Sequence, residues 1–270
     1  RLDVLLPMLD PATAAVLAAR AAPLRAFILV LRSDPAAALV QTEISLTQTP
    51  DEDRYIRSMA VYFHALMLQM VGRGEEAEAW LIDLLRAARG RVDAFSVRLQ
   101  FALNSNYRAG GDLETLRATA SRMLADAQAG QLSLGEGWAH VFLGHVAYET
   151  NDLAEAEMHY AAGVRMMYVA HAAAVRECLF GLTLTQMAQR RFDDAAVTIA
   201  RLDELRAGLD PEIDSLAARL ALARGDQAAA VRWANNFRPG ALPPFLQWQE
   251  IPALTAARIL AVTGQDEAMR

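Results

Sequence analysis

The residues with the most chemical potential in this 270-residue chain are histidines, acids and one thiol. His145 and Glu149 stand at i, i+4, with His140 before them and His159 further on. Two imidazoles and a carboxylate are a zinc-type donor set. The five-residue step from His140 to His145, however, turns about 140° around a helix, so the two rings face apart. The reading is of polar groups on or beside a groove. Cys178, the sole cysteine, follows Arg176-Glu177 without a spaced His or Asp to generate a thiolate, and reads as a small core residue. One cysteine forms neither an internal disulfide nor a thiolate cluster, which fits a reducing cytoplasm. Ser121, Ser133 and Ser215 lie in helical surroundings, and no Gly-x-Ser-x-Gly elbow occurs. All 26 basic residues are arginine. Without lysine there is neither a Walker A loop nor Schiff-base chemistry. A formal net charge of −6 argues against a basic stripe gripping nucleic acid. The expectation is a protein that is not an enzyme and holds neither a metal nor a cofactor in this segment.

The elements that carry these residues repeat. A Gly or Asn turn, an acidic residue and a small anchor recur with the anchors at Ala38, Ala77, Leu116, Ala156, Ala195, Ala230 and Ala268, at steps of 39, 39, 40, 39, 35 and 38. Gly, Asn or Asp ends one helix, and the acid that follows suits the positive N-terminus of the next. Between turns the apolar residues keep helical spacing, as in Val61, Ala65 and Leu68 or Ala77, Leu81 and Leu84. Each copy is therefore two antiparallel helices. The expected fold is all-α, a right-handed solenoid of about seven helix pairs resembling tetratricopeptide (TPR) repeats. The repeats fall at about 24–50, 54–91, 92–130, 135–170, 172–208, 211–238 and, truncated, 246–270. Pro239, Pro243 and Pro244 suggest a bend at 238–245. The apolar stretch from Pro11 to Leu31 carries Arg20, Arg25 and an expected break at Pro23. It reads as a buried helix rather than a signal peptide or a membrane span.

Three stretches go further. They are Gly137 to Leu153, which contains Tyr148-Glu149-Thr150-Asn151-Asp152-Leu153; Ala218 to Asp226 with Val231-Arg232-Trp233-Ala234; and Leu254 to Gly264. In this order they resemble the TPR-like region of the MalT-like group, the large ATP-dependent LuxR-family transcriptional regulators of bacteria. In that family the region lies between a nucleotide-binding module and a helix-turn-helix. The resemblance implies signal sensing and self-association here, with ATP expected in an N-terminal module and DNA contacted only through a C-terminal helix-turn-helix. The segment reads as part of a longer cytoplasmic protein.

Projection along the first helix of each pair gives candidate groove residues. They are Arg98, Phe101 and Arg108 in one repeat, Trp138, His145, Tyr148 and Glu149 in the next, and Glu177 and Phe180 in the third. Aromatics flanked by Arg and Glu suit a polar small molecule or a peptide as inducer. The alternative is a TPR scaffold binding a peptide or partner protein. Peptide clamps of that kind use lysine rows, which this chain lacks.

Overall fold

In the computed structural model the described residues are 6–32, 34–88, 90–206, 208, 210–238 and 249–264. They form a 3₁₀ turn at Leu6–Met8 and 13 α-helices, with no strand among them. The helices are α1 (Pro11–Leu31), α2 (Pro35–Gln48), α3 (Arg54–Met70), α4 (Gly74–Ala87), α5 (Ala94–Gly110), α6 (Leu113–Ala129), α7 (Ser133–Glu149), α8 (Leu153–Arg165), α9 (Ala172–Ala188), α10 (Phe192–Glu204), α11 (Pro211–Ala223), α12 (Gln227–Asn236) and α13 (Pro252–Val262). They fall into two compact units, residues 1–135 and 136–270. Within the first, α3 packs on α4 and on α5, and α5 in turn packs on α4 and α6. Within the second, α9 packs on α8, α10 and α11, and α11 on α12 and α13. First helices thus touch both their own partner and the next first helix, the packing of a helical repeat.

The turn phrase works through two devices. One residue after the first helix of each pair takes the left-handed conformation, at Gly72, Gly111, Asn151, Arg190 and Gly225, and again at Gly264 after α13, and so recurs with the repeat. Glycine suits four of these six sites because it lacks a Cβ. The second device is a carboxylate cap. Asp34, Asp112, Asp152 and Asp226 accept the backbone N–H three residues on, at 2.9–3.0 Å. Where the cap position holds Arg73 or Arg191 no side-chain cap forms. There the arginine donates instead to an acid of the first turn, Arg73 Nε to Glu76 and Arg191 Nε to Asp194, both at 2.7 Å.

Close packing in the second unit centres on Tyr160. Its ring is fully buried between Gly144 of α7 and Gly181 of α9. A Cβ at these glycines would stand 2.6 and 2.1 Å from ring carbons. Gly163 similarly admits Cys178, whose Sγ would lie 2.3 Å from a Cβ there.

The N-terminal stretch differs from expectation. α1 runs unbroken through Pro23, with Asp10 capping its start by accepting from Thr13 N at 3.0 Å. An interior proline removes one helix hydrogen bond. Ala19, Ala22, Pro23, Ala26 and Val30 are nevertheless all buried along the side packed on α2 and α3, and this packing holds the helix together. Leu24 and Ile28 on the opposite side are exposed and Phe27 on the flank is partly so, so the helix is buried along one side only. By length and apolarity α1 is the one described helix that reaches a membrane span. The expected bend at 238–245 lies, apart from Arg238, outside the described residues.

Candidate functional site

In the first unit the first-helix face carries aromatics and arginines together. Arg98 on α5 lies half-buried over the Tyr55 ring, 4.9 Å from its centroid, and its Nη1 donates to Ser58 Oγ at 2.6 Å. At this distance the cation is attracted by the ring face. Phe101 is only 8 % exposed and its ring centre lies 4.9 Å from that of Tyr62. The contact continues from Tyr62 to Phe63 at 5.1 Å and from Phe63 to Phe27 at 5.5 Å, giving an aromatic ladder over α5, α3 and α1. Burial pushes the Tyr62 phenol up to about 12, with the half-buried Arg108 acting in the opposite sense. Tyr55, Tyr62, Phe63 and Phe27 are absent from the sequence-based set. Tyr62 stands one 39-residue period before Phe101, and carrying the projection one repeat further back reaches it.

In the second unit the candidates separate by depth. Trp138 is 8 % exposed and packs against Phe142 at 6.5 Å and His171 at 6.2 Å. His145 and Tyr148 are half-buried and Glu149 is exposed, so the C-terminal half of α7 presents imidazole, phenol and carboxylate toward solvent. Phe180 is 1 % exposed and belongs to the core, where the Arg176 guanidinium covers its ring at 4.5 Å. Glu177 is buried beside the same arginine, its Oε1 3.5 Å from Arg176 Nη1.

Arg176, which the projection does not single out, ties this region together. Its Nη2 donates to Asp210 at 2.9 Å and to Glu212 at 2.5 Å, both at the start of α11. Burial pushes the Glu212 carboxyl up while Arg176 pulls it down. A second buried acid, Glu250, accepts from Arg219 Nη1 and Ser215 Oγ, each at 2.6 Å, and from Thr255 Oγ1. These groups bind one another, which makes them structural cross-links between neighbouring helices.

The histidines pair in an order the spacing does not give. His140 meets His159 of α8, Nδ1 to Nδ1 at 3.1 Å, with one ring donating and the other accepting. Burial, and then the neighbouring His159, hold the His140 imidazole down at about 4. His140, His145, His159 and Glu149 do not converge on one point, and among the described residues no group of three or more His, Cys, Asp or Glu could hold a metal ion. Cys178 is fully buried, and burial raises its thiol far above the ordinary range.

Residues 19–270 match the family model of the MalT-like TPR region. This chain belongs to the MalT-like TPR region family. The solved apo structure of RapI is similar in fold, with a TM-score of 0.60 at 13% sequence identity. That match covers 79% of this chain and 61% of RapI, so the chain spans under two thirds of that protein's length. No curated protein matches the chain in sequence. As a MalT-like TPR region it is a helical-repeat domain of the sensor and protein-interaction type.

Proposed function

We propose that this chain is the ligand-sensing and self-association region of a MalT-like LuxR-family transcriptional regulator, acting in the cytoplasm. It does no chemistry itself. ATP binding and DNA binding fall to parts of such a regulator outside this segment. The observation that carries the reading, beside family membership, is the half-buried His145 and Tyr148 next to the exposed Glu149 on α7. They offer a phenol ring for stacking, an acceptor carboxylate and an imidazole beside one another, the chemistry that fits a polar small molecule. An inducer held there favours one arrangement of neighbouring repeats and shifts self-association accordingly. The Arg98–Tyr55 pair and Arg108 supply the equivalent surface in the first unit.

Calorimetric titration of the chain with a panel of oligosaccharides and short peptides, with sedimentation velocity on the same mixtures, tests this. Saturable heat with one of them, lost in Tyr148→Ala and coupled to a change in sedimentation, is the expected result. No heat with any of them, and a Tyr148→Ala regulator that induces as the parent does, overturns it. A stoichiometric protein partner held without any small-molecule response points instead to a scaffold.

A further inference from the structure

A concave surface lies in the first unit between the second helices. It is a cleft of about 440 Å³ with α4 and α6 as its walls and α5 as its floor. Ile82, Leu85, Leu103 and the Tyr107 ring give it an apolar bed. Around that bed stand Arg86, Arg91 and Arg122, against a single acid, Asp126. Three cations on one cleft stand out in a chain whose net charge is −6. Asp126 is already engaged, accepting from Gln100 Nε2 at 2.6 Å with Arg122 Nε 3.9 Å away. Arg86 has only an exposed partner, Asp83 at 3.1 Å, and Arg91 has no acidic partner among the described residues.

The polar atoms of the cleft narrow the choice of ligand. Tyr107 Oη donates to Glu78 Oε1 at 3.1 Å, and Thr119 Oγ1 donates to Asn104 Oδ1, so both hydroxyls are spent within the protein. Gln100 is different. A carboxylate only accepts, so the Asp126 contact fixes the amide with Nε2 toward the acid and Oε1 turned the other way. That Oε1 is buried and has no hydrogen-bond partner. A buried acceptor left unpaired costs stability, and a ligand that donates to it removes that cost. Volume, apolar bed, arginine rim and one orphan acceptor therefore describe a single ligand chemistry.

We propose that this cleft binds a small amphipathic anion that carries an N–H or O–H donor beside its acid group. The apolar body lies on Ile82, Leu85 and Leu103. The acid meets Arg91 and Arg122, and the donor reaches Gln100 Oε1. The site is separate from the α7 surface of the proposed inducer, and its test is separable from the test of that surface.

The probe is 8-anilinonaphthalene-1-sulfonate, which combines a sulfonate, an N–H and an aromatic body, followed by fluorescence on the whole chain. N-decanoylglycine and its methyl ester serve as competitors. One saturable site per chain is expected, displaced by the acid and not by the ester. The double variant Arg91→Glu/Arg122→Glu, at exposed positions, weakens binding at least about tenfold, as expected for loss of charge-assisted contacts. Tyr148→Ala leaves it unchanged. Circular dichroism melts of each variant confirm that the fold is retained. Absence of saturable binding, unchanged affinity in the double variant, or equal displacement by the ester overturns the proposal. None of these outcomes bears on binding at α7.

Discussion

Substituting Gly181 by alanine tests how the second unit is packed. The added Cβ would sit 2.1 Å from Cζ and 2.3 Å from Cε1 of Tyr160, where ordinary contact starts near 3.4 Å. The ring has to move by more than an ångström. Retreat toward α7 is closed, because Gly144 there already lies so close that its own Cβ would stand 2.6 Å from the same ring. Overpacking of this kind costs about 1–3 kcal/mol, and a ring clamped from two sides belongs at the upper end. Alanine is the better helix former by about 1 kcal/mol, which offsets part of the loss. The net is a destabilisation of about 2 kcal/mol, or a fall in Tm of about 4–8 °C for a chain of this size. Gly110→Ala is the matched control. Gly110 is the last residue of α5, whereas Gly181 lies inside α9, and nothing lies within 4 Å of the Gly110 Cβ position, so there only a propensity gain remains and stability should rise. Urea titrations followed by circular dichroism compare the two, with Gly181→Ala repeated in a Tyr160→Leu background. Relief of the loss by Tyr160→Leu identifies the ring as its cause. If Gly181→Ala stabilises as Gly110→Ala does, the account of the clamped ring is wrong.

Other expectations follow from single residues. The folded His140 imidazole sits at about 4, below its ordinary value of 6.5, so its contribution is complete above pH 6.5 and is lost as pH falls from there toward 4. The folded-to-unfolded ratio should drop by up to about tenfold per pH unit in that window, and His140→Gln should flatten the slope of urea midpoints measured from pH 7.5 to 4.5. His64, also lowered chiefly by burial, leaves a residual slope in that variant. Arg190 has φ 62°, and Arg190→Gly should raise the urea midpoint, with a gain of about 1 kcal/mol; a fall would contradict the strain assigned to that turn. Asp152→Ala removes the acceptor for Glu155 N at 3.0 Å and should cost about 1 kcal/mol, whereas Asp152→Asn should recover most of it in the same titration.

The repeat was readable because its signals are local. A left-handed residue and a capping acid need only a few neighbouring positions, and both recur at Gly111-Asp112, Asn151-Asp152 and Gly225-Asp226. The start of α1 is announced by the same Asp-Pro pair, Asp10-Pro11, that opens α2 and α11. Pro23 misleads because a proline within a helix ordinarily breaks it, and only the buried Ala19, Ala22 and Ala26 show why this one does not. The depth of the candidate site residues was less readable. On α9 every residue from Ala174 to Gln186 except Arg176 is buried. A helix buried on nearly all sides has no single apolar stripe, so spacing could not separate the core position of Phe180 from a surface position. The His140–His159 pairing joins two helices and follows from no spacing within either. Arg176 escaped for the same reason, since its partners Asp210 and Glu212 lie 34 and 36 residues away.

The turn between α9 and α10 combines the two departures seen among the six. Its left-handed residue is Arg190 rather than glycine, and the following helix lacks a side-chain cap. What closes it are partly exposed ion pairs, Arg191 to Glu157 at 2.6 Å and to Asp194 at 2.7 Å. Such pairs are screened by salt, whereas a glycine turn and an Asp cap depend on geometry and hydrogen bonding. Ionic strength therefore acts on the array unevenly. As salt rises, amide exchange should quicken first at the start of α10, while the turn at Asn151-Asp152 changes little.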